Sequence, residues 1–550
     1  MLRSAADPSK LYKTFGGHAR KVTAVRISPC GRFCASADEG GNLRVWSTDP
    51  TAAASAKEFQ PLSSPVRDLA WSHDSERLVI VGEGRTTRGI VINAQMGTTM
   101  GDLAGITGDM TSCDFRKDRP FRIAIGSADS MTGFYEGPPF KFASSIKGEH
   151  KAKVTSVRFS PDNSLIASVS GASQIVLQDG KTGEMVRKVE TGHKGTVYAV
   201  AWSMDGAQLA TASADKTVRC FNVADGTEAF STTLGAAVRD MQMGVTAVPS
   251  GWVSINLGGD LSFVGHDGGV TRCVRGFEKS VKSIHPLPDG TLVCSNYEGR
   301  VLAFPAEGDA QAFSGKEPQF IEGGSVCADG VMLWTGEKAV HANSATRELV
   351  PGIETKALVG VSLSPTSFVV AEGNALLLFV NGKEMSKTAL GKRARAVVCS
   401  GSTVAIATEA SVMIFAVTGT DLQSKATIDV STSHRSDISA IALSDDGTRL
   451  AVGDTTNVLS IWDAATGTPV ATDLAYHNSR ITCLAFAPGS ANVLASGGND
   501  NMLILWNLSG NTRVKIENAH VGPVTSLAFI SSGLLASGGH DGCVKRWAIE

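Results

Sequence analysis

Apolar and polar residues alternate in short runs along much of the chain, as in "VTAVRIS" (22–28), "VYAVAWS" (197–203) and "VTSLAFI" (524–530). A period of two places every second side chain on one face, which predicts half-buried β-strands. Turn residues rich in Gly, Asp, Asn and Ser follow each run, and a second strand such as "LATAS" or "LASGG" comes next. An Asp and a third strand ending in Trp or Phe complete the unit.

These units repeat. His18 precedes Trp46, His193 precedes Phe221 and His434 precedes Trp462 by 28 residues each, His477 precedes Trp506 by 29, and His520 precedes Trp547 by 27. Three or four short strands recurring at this spacing, closed by "WD", "WN" or "FN", are the pattern of WD-repeat β-propeller blades. The spacing has a physical reason: the His, a Ser/Thr of the second strand, the Asp and the Trp can form one hydrogen-bonded chain. In the unit at 190–223 the expected members are His193, Ser213, Asp215 and Phe221, where Phe lacks the indole donor. Asp500 and Asp541 stand six residues before Trp506 and Trp547, as Asp215 does before Phe221. A His beside an Asp invites a catalytic reading, but its recurrence in one register makes it a structural device.

Degenerate copies fill the intervals, giving thirteen predicted blades: seven from residue 18 to about 305, and six from about 310 to the end. The fold class is therefore all-β, two tandem propellers. The first is expected over 1–305, with an N-terminal strand remnant at 1–17, and the second over 306–550. The second would then be one blade short of seven, and an open ring leaves a sheet edge exposed.

Composition narrows the function. The formal net charge is −2, so no global field recruits nucleic acid or an anionic membrane. The basic cluster "GKRARA" (391–396) reads as a solvated loop. Ten cysteines are scattered without a C-x-x-C, and Cys220, Cys294 and Cys399 fall in apolar alternation. That favours reduced thiols in the cytosol over disulfides or a zinc site. No apolar run reaches the roughly 20 residues of a membrane span. The start lacks the apolar core of a secretory signal, and Asp7 argues against a mitochondrial presequence. "DGKTGE" (179–184) contains GKT, but Ile175 stands where a P-loop needs its first Gly, so it reads as a hairpin turn. No H-E-x-x-H or G-x-S-x-G occurs. Nothing in these motifs supports an active site, so the chain does not read as an enzyme.

"VRDLAWSHDSERLVIVGEGR" (66–85), "RPFRIAIGSADS" (119–130), "EGPPFKF" (136–142), "GEHKAKVTSVRFSPD" (148–162) and the C-terminal "LASGGNDNMLILWNLSGNTRVKIENAHVGPVTSLAF" (494–529) go beyond generic blade patterning. In order and spacing they resemble the actin-interacting protein 1 family. "VGEGR" and "EGPPFKF" are not needed to build a blade, which makes them specific to it. The resemblance implies a monomeric protein of the cytoplasmic actin cytoskeleton whose partners are actin filaments and cofilin (actin-depolymerising factor), and which promotes filament severing and disassembly. It also implies an additional blade ahead of this start, grouped with the last blades and completing the second propeller.

The family's filament-facing positions fall on Thr86, Ala128, Phe142 and Lys153. Phe142 keeps the family's residue type, while two acids have become Thr86 and Ala128 and an aromatic has become Lys153. Glu83, Arg85 and Lys141 are neighbouring candidates, although Glu83 and Arg85 can equally pin a hairpin and Lys141 can be solvated. Phe140 and Phe142 alternate, so one is expected in the core and the other outside. The prolines of "EGPPFKF" fall where a third strand leads into the outer one, whose free edge tolerates them. A general WD-repeat scaffold without actin activity remains the alternative reading.

Overall fold

The computed structural model describes residues 2–3, 11–13, 17–49, 56–315, 317–318, 320–327, 330–336, 338–352, 355, 359–364, 367–472 and 474–549. Of the segment 1–17 it describes the backbone of Leu2–Arg3 and Leu11–Lys13, which pair antiparallel as a two-stranded sheet, and Gly17. From residue 22 onward there are twelve four-stranded antiparallel sheets and a final three-stranded one, so the thirteen predicted blades are present. They are numbered here in chain order: blade 1 is 22–59, blade 2 is 66–102, blade 3 is 110–146, blade 4 is 154–190, blade 5 is 197–233 and blade 6 is 242–274. Blade 7 is 281–312, and blades 8 to 13 begin at 323, 359, 396, 438, 481 and 524. Within each sheet the strands lie in chain order, inner to outer, so every pairing is a local hairpin.

The chain divides into two compact units, Met1–Val274 and Arg275–Glu550. The division expected at 305 is therefore displaced by one blade, and blade 7 belongs to the second unit. Its partner is blade 13. Phe277, Val281, Ile284, Leu292, Cys294 and Leu302 form one apolar cluster with Ala536, against which Ala528 and Val544 pack. Thr525 Oγ1 donates to Val281 O across 244 residues, and the Arg546 guanidinium donates to the carbonyls of Phe304, Pro305 and Ala306. Counting blades from the N-terminus could not find this, because ring membership is set by which face covers which.

That covering is complete in the second unit. Successive apolar clusters join blades 7 and 8, 8 and 9, 9 and 10, 10 and 11, 11 and 12, 12 and 13, and 13 back to 7. Seven blades thus close a cycle. In the first unit, clusters join blades 1 to 6 in series. None among the described residues joins 6 to 1. The expectation that the second propeller is the short one is thus reversed. Val22, Val25 and Ile27 are 42%, 49% and 53% exposed, whereas their counterparts Val154, Val157 and Phe159 in blade 4 are fully buried by blade 3.

A hydroxyl on the second residue of an inner strand recurs as a clasp between neighbours. Thr155 Oγ1 donates to Val197 O at 2.6 Å and Ser439 Oγ to Ile481 O at 2.5 Å, as Thr111 does to Val154 O and Thr482 to Val524 O. The corresponding residue of blade 6 is Met243, which has no hydroxyl to offer.

Candidate partner-binding surface

The His–Asp pairs belong to the scaffold. In blade 12, Trp506 Nε1 donates to Ser496 Oγ (2.8 Å), which meets His477 Nε2 (2.8 Å), and His477 Nδ1 meets Asp500 Oδ2 (3.0 Å). Blade 13 repeats this with Trp547, Ser537, His520 and Asp541 at 2.8, 2.7 and 2.9 Å. An indole only donates and a carboxylate only accepts, so the chain is consistent in direction when His carries its proton on Nδ1. The Asp also accepts backbone N–H groups from the connection and the turn, Asn478 and Met502 for Asp500. It therefore locks two loops at once, and these bonds outweigh burial and hold its carboxyl below the ordinary range.

Blade 5 requires a correction. His193 Nδ1 meets Asp215 Oδ2 at 2.9 Å, but its Nε2 meets Thr211 Oγ1 at 2.8 Å, not Ser213. Both side chains lie on one face, two residues apart, and Thr211 is the one level with the ring. Ser213 Oγ donates to Gly195 O instead. With Phe221 in place of Trp, the Thr211 hydroxyl lies 3.4 Å from Arg219 O. Blade 4 is less complete: Ala172 occupies the turn, so His150 meets Ser168 at 2.8 Å while its buried Nδ1 has no partner. Burial, together with Lys188, lowers the His150 pKa to about 4.

The "EGPPFKF" segment joins the third strand of blade 3, Thr132–Glu136, to its outer strand, Lys141–Ile146. Phe140 is 1% exposed and meets Phe115 edge-on at 5.7 Å. Phe142 is 40% exposed. Its ring rests edge-on against buried Tyr135 at 5.5 Å, and Tyr135 is itself fixed by a hydroxyl bond to Ala104 O. Gly105, at φ +101°, lies so close that a Cβ there would stand 2.7 Å from the Phe142 ring. Phe142 is thus an exposed aromatic on a rigid support, and Lys141 beside it is exposed.

The other candidates lie in loops. Glu83, Arg85 and Thr86 follow the second strand of blade 2, Ala128 follows that of blade 3, and Lys153 immediately precedes the inner strand of blade 4. In sheets of this topology, second-to-third turns and the connections into inner strands fall at the same end. These five therefore share one end of three successive blades, whereas Lys141 and Phe142 start an outer strand from the other. Arg85, Thr86, Ala128 and Lys153 are exposed. Glu83 is held by the Arg67 guanidinium and donates its N–H to Pro65 O, so it pins the loop. "DGKTGE" is a turn in which Asp179 Oδ1 accepts from the N–H groups of Lys181 and Thr182, both at 2.8 Å.

One node escaped the sequence reading. Asp68 is buried and accepts from Arg26 (2.8 Å), Arg158 (3.1 Å), Ser112 Oγ (2.9 Å) and Cys113 N (3.3 Å), which ties blades 1 to 4 together. Burial alone would raise its pKa, but the two guanidiniums outweigh that and lower it. No single repeat carries a signal for this node, because its Asp, its Ser and its two Arg come from four different blades.

The WD domain, G-beta repeat family matches residues 9–47, 141–177, 184–222, 426–463, 467–507 and 511–548. WD repeat-containing protein 1 of Gallus gallus is 30% identical over 574 residues, spanning 100% of this chain and 93% of its own length. The protein of that name from Rattus norvegicus is 31% identical over 572 residues with the same coverage. So is the 66 kDa stress protein of Physarum polycephalum.

Proposed function

Because the chain belongs to the WD repeat-containing protein 1 family, we propose that it is an actin-filament-binding protein that acts with cofilin to promote filament severing and disassembly. The observation that carries this reading is Phe142: a family-type aromatic, exposed, and backed by Tyr135 and Gly105 so that little order is lost on contact. The mechanism is linkage. A rigid surface that fits the cofilin-altered filament better than the bare one stabilises the altered state by the difference in affinity. Under this reading the protein acts as a monomer in the cytoplasmic actin cytoskeleton, and no step requires bond chemistry or a cofactor.

A second reading, a WD-repeat scaffold with another partner, is favoured by Thr86, Ala128 and Lys153. These positions lack the acids and the aromatic that the family resemblance implies there. Co-sedimentation with actin filaments, with and without cofilin, separates the two readings. Cofilin-dependent pelleting supports the first, and equally poor pelleting in both conditions leaves the second.

A further inference from the structure

The end of the first unit that carries Arg85 and Lys153 has an unusual balance of charge. In the second-to-third turns and the incoming connections of blades 2 to 5, every carboxylate is engaged within the fold. Glu83 is held by Arg67, Asp109 lies 3.6 Å from Arg88, Glu149 lies 2.6 Å from Lys188, and Asp215 is held by His193. Asp129 accepts from Ser127, Thr107 and the Gly108 N–H. Apart from Arg88, the cations are not similarly engaged. Among the described residues, no carboxylate lies within ion-pair distance of Arg85, Lys147, Lys151, Lys153, Lys194 or Lys216, and all but the half-buried Lys216 are exposed. Two further acids, Asp102 and Glu190, end outer strands at the periphery, and Glu190 accepts from Gln174.

We propose that this end of blades 2 to 5 is a docking surface for an acidic protein face. Charge complementarity is the argument. A row of uncompensated cations on turns fixed by the Asp129 and Asp215 bonds repels basic surfaces and steers acidic ones, against an overall charge of −2. The same segments argue against other anionic partners. They contain no Phe, Tyr or Trp on which a nucleic-acid base could stack. Their large apolar residues, Leu62, Leu103, Ile106 and Met131, are buried, so nothing is offered to a lipid interface. Thr86, Ala128 and Lys153, three of the positions that the family resemblance makes filament-facing, lie on this same end, so the proposal rests in part on the actin reading and deepens it by naming the charge of the partner face.

The test compares the full chain with an R85E/K151E/K153E/K194E variant. Binding to poly-L-glutamate, phosphatidylserine vesicles and duplex DNA is measured at low and high salt, with thermal unfolding as a control on the fold. The wild type is expected to prefer poly-L-glutamate, to lose that binding as salt rises, and to lose about tenfold or more in affinity on charge reversal. Equal binding of both proteins to poly-L-glutamate, or a preference for vesicles or DNA, overturns the proposal. If the variant unfolds early, the single substitutions R85A and K194A, each expected to lower affinity measurably, replace it. A parallel assay with cofilin-decorated actin filaments keeps the two claims apart: failure of the wild type to pellet counts against the actin reading alone.

Discussion

Phe140 and Phe142 stand two residues apart and meet opposite environments, one enclosed against Phe115 and the other 40% exposed on Tyr135. Phe140→Ala should cost about 3–5 kcal/mol of stability through the cavity it leaves. Phe142→Ala should leave thermal unfolding almost unchanged while lowering cofilin-dependent filament binding by ~2 kcal/mol, about thirtyfold. A large loss of stability from Phe142→Ala would instead make its ring part of the core. A second expectation at this scale concerns pH. Burial lowers the pKa values of His150 and His285 to about 4, below the unfolded value of about 6.5. A depressed histidine contributes stability that is present above the unfolded pKa and is lost as pH falls towards the folded one. Between pH 7 and pH 5 each should cost roughly 2 kcal/mol. Urea unfolding at both pH values should show this drop, and His150→Gln should reduce it; an unchanged slope would contradict the assignment.

At the scale of the blade, much was legible in the sequence because each sheet is a local meander with alternating faces. The His-to-Trp or His-to-Phe spacing located five blades and the strand rhythm of degenerate copies the other eight, and His477, Asp500, Trp506 and their blade 13 counterparts join through Ser496 and Ser537 as the register requires. The reading went astray where partners lie across blades. The Asp68 node needed strands from four blades at once, and within blade 5 choosing Thr211 over Ser213 needed the level of the His193 ring. Assigning blade 7 to its ring needed the Thr525 to Val281 clasp. That clasp can be tested. Thr525→Val removes its donor and should destabilise by about 1 kcal/mol, with faster amide exchange at Val281–Pro286. In the wild type, Val22–Ile27, which has no covering apolar cluster among the described residues, should exchange faster than the equivalent Val154–Phe159. Equal rates would mean that the first unit is closed as tightly as the second.

At the scale of the molecule, two units of all-β architecture present rigid turns on which exposed residues are held in place. Rigidity suits a protein that discriminates between two states of a partner, because no ordering cost blurs the difference in affinity. The sequence made the family legible through "VGEGR" and "EGPPFKF" and singled out Phe142 as the candidate contact. It left the cation-bearing end of blades 2 to 5 unseen, since the balance there depends on which carboxylates are already engaged. The most direct test is co-sedimentation of the full chain with actin filaments at fixed salt, bare or saturated with cofilin. The account expects cofilin to raise the pelleted fraction, with an affinity ratio of about tenfold or more, equivalent to 1.4 kcal/mol of coupling. Equal pelleting on bare and decorated filaments, or none on either, would contradict it.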